Sequence, residues 1–381
     1  MIPYGRQDIS EEDIAAVVAV LRSDYLTQGP MVPVFERSVA EAAGADHAVA
    51  VNSATSALHV ACMALGLGPG DVLWTVPNTF VASANCALYC GAAVDFVDID
   101  PVTYVMSVPA LEAKLAAAKA VGRLPKVLVP VHLCGQSADM AAIGALARAH
   151  GARVIEDASH AIGATYRGRP VGDCRYSDIC VFSFHPVKII TTAEGGLATT
   201  NDPVLAHAMD LARSHGITRD PGRMTHAPDG PWYYQQIALG YNYRMTEMQA
   251  ALGVSQMSRL GQMVARRQAL AARYDTLLSN PAVTRPAQSP DTASSWHLYV
   301  IRVAAARHKA VFEGLRAGGI CVNLHYIPVH LQPYYCAMGF TPGQFPQAEA
   351  YYREAISIPL YFGLTDADQD RVVAVLADCL A

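Results

Sequence analysis

The chain predicts an α/β fold: residues 1–250 form a large domain with a mostly parallel sheet and an N-terminal arm. Residues 251–381 form a long linking helix and a smaller α+β domain. Three observations predict this. Between residues 47 and 200, short Val- and Ile-rich runs alternate with helical stretches of about 10–15 residues, the pattern of repeated βα units. Beyond about residue 250 that alternation stops. Finally, 52% of the 381 residues are hydrophobic and only 16% are charged, against a typical charged share of about 25%. So much apolar surface can close a large core and excludes a disordered chain.

Taken in order, residues 47–52 read as a buried strand and 55–65 as a helix. A strand at 72–76 runs into a turn at Pro77-Asn78, followed by a helix at 82–89 and a strand at 93–97. An Ala-rich helix lies near 110–120. Residues 126–132 are a strand, 140–150 a helix, and 153–157, 179–184 and 196–200 three further strands. Residues 249–278 predict one long helix whose Arg259, Arg266, Arg267 and Arg273 read as a solvated face. A Pro- and Ser-rich joint at 280–295 leads to a strand at 296–303, a helix at 307–317, a strand at 321–326 and a terminal helix from about 366. The glycines at 66, 68 and 70 follow a helix and precede a strand. A dinucleotide-binding loop needs the opposite order, so they read as a helix-terminating loop.

Composition also removes function classes. A net charge of −5 and a pI near 6.2 leave no basic face for nucleic acid. Nine cysteines contain no CxxC pair, which predicts reduced thiols rather than a zinc knuckle or a disulfide framework. His325 and His330 do not have helical zinc-binding spacing, so no metal is expected. The N-terminus lacks the apolar run of a signal peptide. No apolar run approaches the roughly 20 residues that span a bilayer. The expectation is a cytoplasmic protein without a membrane or nucleic-acid partner.

Three features gather at the C-terminal ends of predicted strands, where ligands bind in open α/β sheets. Asn52-Ser-Ala-Thr-Ser-Ala57 joins a strand to a helix, and hydroxyls and free N–H groups at a helix start suit a phosphate. Taken alone, it reads better as an ordinary N-cap by Ser53 or Thr55. Asp157 closes an apolar strand and needs a partner, such as a protonated ring nitrogen. A helix-capping role is the alternative. Lys188, the only lysine between positions 127 and 308, follows another apolar strand. There, burial lowers an amine's pKa and favours Schiff-base chemistry over a solvated loop lysine. A phosphate cradle, a strand-end carboxylate and a strand-end lysine together are what pyridoxal 5′-phosphate requires.

Five segments carry a resemblance: Ser53-Ala-Thr-Ser-Ala57, Glu156-Asp-Ala-Ser-His160, Phe182-Ser-Phe-His-Pro-Val-Lys188, Glu194-Gly-Gly196 and Gly240-Tyr-Asn-Tyr-Arg-Met245. With Ile2-Pro-Tyr-Gly-Arg6 and His325-Tyr-Ile-Pro-Val-His330 they span nearly the whole chain. The sequence resembles the DegT/StrS family of pyridoxal-phosphate-dependent sugar-nucleotide aminotransferases of fold type I. Within that family, the opening Pro-Tyr-Gly, Leu26-Thr-Gln-Gly29 and Phe-His-Pro-Val-Lys most resemble members acting in pseudaminic acid biosynthesis.

The resemblance implies that Lys188 carries the cofactor and that Asp157 pairs with its ring nitrogen. His160 would lie near its 3-hydroxyl, and Ser183, Ala54 and Thr55 would hold its phosphate. Phe80 would stack on the ring, and Asn242 would reach the phosphate from the neighbouring subunit of a homodimer. The same likeness assigns Tyr4, the run Asp24, Tyr25, Leu26 and Thr27, and the run His325, Tyr326, Ile327 and Pro328 to the sugar nucleotide, beside Ala54, Ser183 and Asn242. Trp296, His297 and His185 are further pocket candidates, although a buried Trp in a small domain is more often core. The implied reaction moves an amino group from L-glutamate to C4 of a UDP-linked 4-keto-6-deoxy-N-acetylhexosamine. Alternatives are the same chemistry on another UDP- or GDP-linked 4-keto sugar and, in a different class, a non-catalytic pyridoxal-phosphate-binding regulator. Relatives with histidine in place of the lysine dehydrate their substrates, and Lys188 argues against that branch.

Overall fold

A computed structural model describes residues 1–381. Its centre is a seven-stranded sheet of β1 (His47–Val51), β2 (Val72–Thr75), β3 (Ala93–Phe96), β4 (Val127–Val129), β5 (Arg153–Asp157), β6 (Ile179–Ser183) and β7 (Gly196–Thr200), in the order β1-β7-β6-β5-β4-β2-β3. Strands β6, β5, β4, β2 and β3 pair in parallel. β7 runs antiparallel to both β1 and β6. The reason is the connection: a parallel return needs a crossover, usually a helix, and residues 184–195 contain none. The chain therefore doubles back, and the loop carrying Lys188 is left at the C-terminal edge of the parallel strands.

β6 and β7 are buried along their whole length because the sheet is covered on both faces, which explains their unbroken apolar character. Alternation distributes their side chains between two cores. Val49, Val51, Val181 and Ala198 enter one cluster with the helix Ala54–Ala64. Ala50, Cys180, Phe182 and Leu197 enter the other, against Phe35 and Val39 of the helix Met31–Ala43. A third cluster joins the helix Leu260–Leu277 to the antiparallel pair Tyr299–Arg302 and Ala355–Ile358 and to the terminal helix Asp366–Leu380. Ile2 belongs to it, because its N–H donates to the Gly319 carbonyl (2.9 Å) and its carbonyl accepts from the Cys321 N–H (2.8 Å). This docking of the N-terminal arm carries Tyr4 toward the sheet edge. No helix is long and apolar enough to cross a membrane.

Four expectations are corrected. The helix expected at 249–278 is two, Glu247–Ser258 and Leu260–Leu277, which meet at Arg259. Its basic run is not a solvated face. Arg259 pairs with Asp8 (2.6 Å) and Asp13 (2.7 Å), and Arg273 with Asp370 (2.7 Å). Arg267 is only 2% exposed and donates to the carbonyls of Trp296, His297 and Leu360 at 3.0–3.2 Å. Burial pulls its guanidinium down to about 10. Residues 321–326 do not form a strand, because their backbone bonds are scattered over Ile2, Ser357, the Asn78 and Asn323 side chains and the Tyr351 hydroxyl. The strand expected from 296 starts at Tyr299, since Trp296 holds a left-handed φ of 51°. Helices Glu11–Leu21, Pro203–Arg213 and Pro346–Glu354 were not anticipated, although the capping box between Ser10 and Asp13 is visible in the sequence.

One glycine positions the edge. A Cβ on Gly196 would run into the backbone of Ser53 and Ala54, so the first residue of β7 lies directly under the start of the helix Ala54–Ala64. Gly196→Ala is expected to cost about 1–3 kcal/mol through overpacking. Gly261→Ala, at an exposed helical position with open space around it, is expected to be neutral or to stabilise by up to about 1 kcal/mol. Urea unfolding of both variants reads the two signs, and equal stability of Gly196→Ala and the parent would contradict the close approach.

Candidate active site

At the C-terminal ends of the parallel strands lies a cavity of about 460 Å³. One wall is the start of the helix Ala54–Ala64. The Ser53 hydroxyl caps this helix by accepting the Ser56 N–H (3.1 Å), and the Ser56 hydroxyl donates to Asn52 Oδ1 (2.7 Å). Capping and cradle coexist here. Ser53 satisfies a deeper N–H, while the N–H groups of Ala54 and Thr55, at the first helical positions, have no intrahelical acceptor. Both residues line the cavity, as does Ser183 from the end of β6. The result is a set of donors at the positive end of a helix dipole, suited to a phosphate.

Asp157 ends β5 at 4% exposure. Its Oδ2 accepts from the Ser83 hydroxyl (2.6 Å) and its Oδ1 from the Ser159 N–H (3.1 Å). No side-chain cation lies within ion-pairing distance, and the group faces the cavity. Lys188 stands on the β6–β7 loop. That loop is fastened by the Phe184 carbonyl, which accepts from the Thr192 N–H and the Thr191 hydroxyl (both 3.0 Å), and by the Lys188 N–H donating to the His185 carbonyl (2.9 Å). The Lys188 amine has no hydrogen-bond or salt-bridge partner. Burial lowers it from the usual lysine value to about 8, with Asp157 acting in the opposite direction. The neutral fraction near neutral pH is therefore minor but far larger than that of a solvated lysine, which favours a nucleophilic amine.

Three histidines line the far wall. His160 Nδ1 accepts the Cys134 N–H (3.3 Å), so its proton sits on Nε2 and donates to the Tyr326 hydroxyl (3.1 Å). Its ring lies 4.4 Å from that of His297, centroid to centroid. His325 Nδ1 pairs with the Ser357 hydroxyl (2.8 Å). Burial, then the nearby Lys188, pushes His160 well below the usual imidazole range and His325 down to about 4. Burial, then His160, does the same to His297. Burial thus disfavours the charged form of these three imidazoles beside the Lys188 amine. The residues fit pyridoxal phosphate: donors for a phosphate at one end, an uncompensated carboxylate for a ring nitrogen, and an unpartnered amine between them.

The cavity thus brings together Lys188, Asp157, His160, Ser183, Ala54, Thr55, Phe80, Tyr4, His325 and Tyr326, with His185 and His297. Phe80 is 57% exposed at its mouth. Within one chain, other expected residues stay outside. Asp24, Tyr25, Leu26 and Thr27 are exposed, held away because Thr27 pairs with Thr246 and the Leu26 carbonyl accepts the Glu247 N–H (3.0 Å). Asn242 is exposed and pairs with Ser214. Ile327 and Pro328 turn away from the cavity because the Val329 N–H donates to the Pro77 carbonyl (2.8 Å). Trp296 is buried in the third core cluster, away from the cavity lining. Sequence reasoning did not assign Thr79, Ser83 or Ser159 to the site, although Ser159 lies within the Glu156-Asp-Ala-Ser-His160 segment. The signal for the other two was a pair of hydroxyls four residues apart, at 79 and 83, with apolar residues between them.

Comparison with known proteins agrees with this geometry. The chain is 39% identical over 384 residues to the spore coat polysaccharide biosynthesis protein SpsC of Bacillus subtilis, covering 99% of this chain and 96% of that one. Its structure resembles Helicobacter pylori PseC, an aminotransferase involved in the biosynthesis of pseudoaminic acid, with a TM-score of 0.91, 31% identity, and 99% and 98% of the two chains covered. It also resembles the PLP form of Spr1654 from Streptococcus pneumoniae, with a TM-score of 0.89, 30% identity and both chains covered completely. The model of the DegT/DnrJ/EryC1/StrS aminotransferase family matches residues 7–377. With a lysine, a carboxylate and a phosphate cradle meeting in one cavity, the chain belongs to that family and is a pyridoxal-phosphate-dependent sugar aminotransferase.

Proposed function

We propose that the chain moves an amino group from L-glutamate to C4 of a UDP-linked 4-keto-6-deoxy-N-acetylhexosamine, a step of pseudaminic acid biosynthesis in the cytoplasm. The observation that carries the transamination is the unpartnered Lys188 amine, lowered by burial to about 8 and sharing one cavity with Asp157. Bound pyridoxal phosphate supplies an electron sink for the pair released when the donor's Cα–H bond breaks. In this reading the Ala54 and Thr55 N–H groups and the Thr55 and Ser183 hydroxyls hold the phosphate. Asp157 would face the ring nitrogen, His160 the 3-hydroxyl, and Phe80 the ring at the cavity mouth. Lys188 would hold the cofactor, and its amine would act as general base for the donor's Cα proton and then as general acid toward C4′ of the cofactor. The same steps in reverse serve the sugar's C4.

The sugar assignment is supported by the likeness to PseC and by Tyr4, His325 and Tyr326 at the far wall. The higher identity to SpsC favours a second reading, another 4-keto sugar nucleotide of a surface polysaccharide. Asn242 and the 24–27 segment, exposed in a single chain, are assigned to the site of a second copy in a homodimer.

Lys188→Ala is expected to fold, to lack the Schiff-base absorbance at about 410–430 nm and to lose transamination, whereas substantial turnover would remove Lys188 from the chemistry. In the parent chain, the rate of reconstitution with pyridoxal phosphate should rise with pH as the amine deprotonates and level off above about 8, rather than climb to the usual lysine range. Mixed dimers of Lys188→Ala and Asn242→Ala should retain one intact site, and inactivity after demonstrated subunit exchange would refute a shared one. A panel of UDP- and GDP-linked 4-keto sugars with L-glutamate, read by 2-oxoglutarate release, decides the substrate. Preference for a sugar other than the UDP-linked N-acetylhexosamine would establish the second reading.

A further inference from the structure

Beside Asp157, and lining the same cavity, lies a pair of buried hydroxyls that the proton transfers at Lys188 do not use. Ser83, at 1% exposure in the first turn of the helix Ala82–Tyr89, donates to Asp157 Oδ2 (2.6 Å). Its oxygen is also 2.7 Å from Thr79 Oγ1, and Thr79 is equally buried. A hydroxyl has one proton. The Ser83 hydroxyl also lies 3.3 Å from the Phe80 carbonyl, but the shorter contact with the charged Asp157 takes its proton, so the Thr79 hydroxyl donates to Ser83 and the chain of donors runs one way, Thr79 to Ser83 to Asp157. The two carboxylate oxygens receive one donor each, Ser83 on Oδ2 and the Ser159 N–H on Oδ1, and rotating the group breaks both bonds.

The contact crosses the fold. Ser83 follows β2, Asp157 ends β5, and β4 lies between them in the sheet, so the 76–83 segment must arch over two strand spacings, roughly 10 Å. The same segment also ties down the substrate side: Asn78 Oδ1 accepts the Tyr326 N–H (3.1 Å), and the Pro77 carbonyl accepts the Val329 N–H (2.8 Å).

We propose that Thr79 and Ser83 are positioning residues, a one-way relay of hydroxyls that fixes the plane of the Asp157 carboxylate toward the cofactor's ring nitrogen and links it to the wall bearing Tyr326. This rests on the reading of Asp157 as the partner of that nitrogen. The orientation of the carboxylate then depends on a loop from a strand that does not adjoin β5, and a change in that loop is felt at the ring.

The test titrates the full-length chain and its Ser83→Ala, Ser83→Thr, Thr79→Val and Asp157→Asn variants with pyridoxal phosphate. It reads the dissociation constant, the visible circular dichroism of the bound chromophore and the thermal midpoint. Ser83→Ala is expected to bind about 10-fold more weakly, as loss of an outer-shell partner does, with a diminished dichroic band. Ser83→Thr keeps the hydroxyl and should stay within about threefold, and Thr79→Val should fall between them. Affinity and dichroism of Ser83→Ala like those of the parent, with Asp157→Asn impaired in both, would overturn the relay while leaving the role of Asp157 intact. An Asp157→Asn variant that matches the parent would overturn both. A lowered thermal midpoint with unchanged affinity and dichroism assigns the hydroxyls to packing and also overturns the relay. Should Ser83→Ala not fold, Thr79→Val decides: parent-like affinity and dichroism overturn the relay, and weakened values support it.

Discussion

The close approach of the Gly196 backbone to the Ser53–Ala54 peptide is the constraint on which the rest of the site depends. Only a residue without a Cβ lets β7 start under the N-terminus of the helix Ala54–Ala64. With β7 there, antiparallel between β1 and β6, the β6–β7 loop has nowhere to go except the C-terminal edge. The phosphate-type cradle and Lys188 come from segments more than a hundred residues apart in sequence, yet they share a wall because one glycine removes the steric barrier between their supports.

Burial then tunes what packing has assembled. Lys188 and the three histidines all move toward their neutral forms, for one reason: each lies in surroundings that solvate charge poorly. The carboxylate of Asp157 is treated differently, receiving a donor on each oxygen. One dielectric environment thus yields a reactive amine beside an oriented acceptor. Arg267 shows the same physics in a structural role. Buried without a carboxylate, it donates to carbonyl oxygens, one of which belongs to His297 of the cavity wall.

Much of the large sheet was legible because its strands are short, apolar and separated by helical stretches. The limits of β5 and β7 agree with the structure residue for residue. The basic run on the linking helix misled, since charge pattern alone does not distinguish an arginine facing water from one facing carbonyls or Asp8 and Asp13. The segment 321–326 misled differently. Its apolar content suits a strand, but its hydrogen bonds are scattered over partners that include the N-terminal arm, Ser357 and Asn78, and propensity does not report partners.

By itself, the sequence determined the chemical types in play: a solitary lysine after an apolar strand, a carboxylate closing another, hydroxyls at a helix start, and the motifs that mark the family. These are local, because side-chain chemistry and periodicity are carried by neighbours in the chain. The tertiary structure alone decided that β7 runs antiparallel, that Ser83 and Thr79 stand beside Asp157, and that Arg267 is interior. It also leaves Asn242 and the 24–27 segment outside the single-chain cavity. Each of these depends on contacts between residues distant in sequence, whose energies exist only once the sheet has formed.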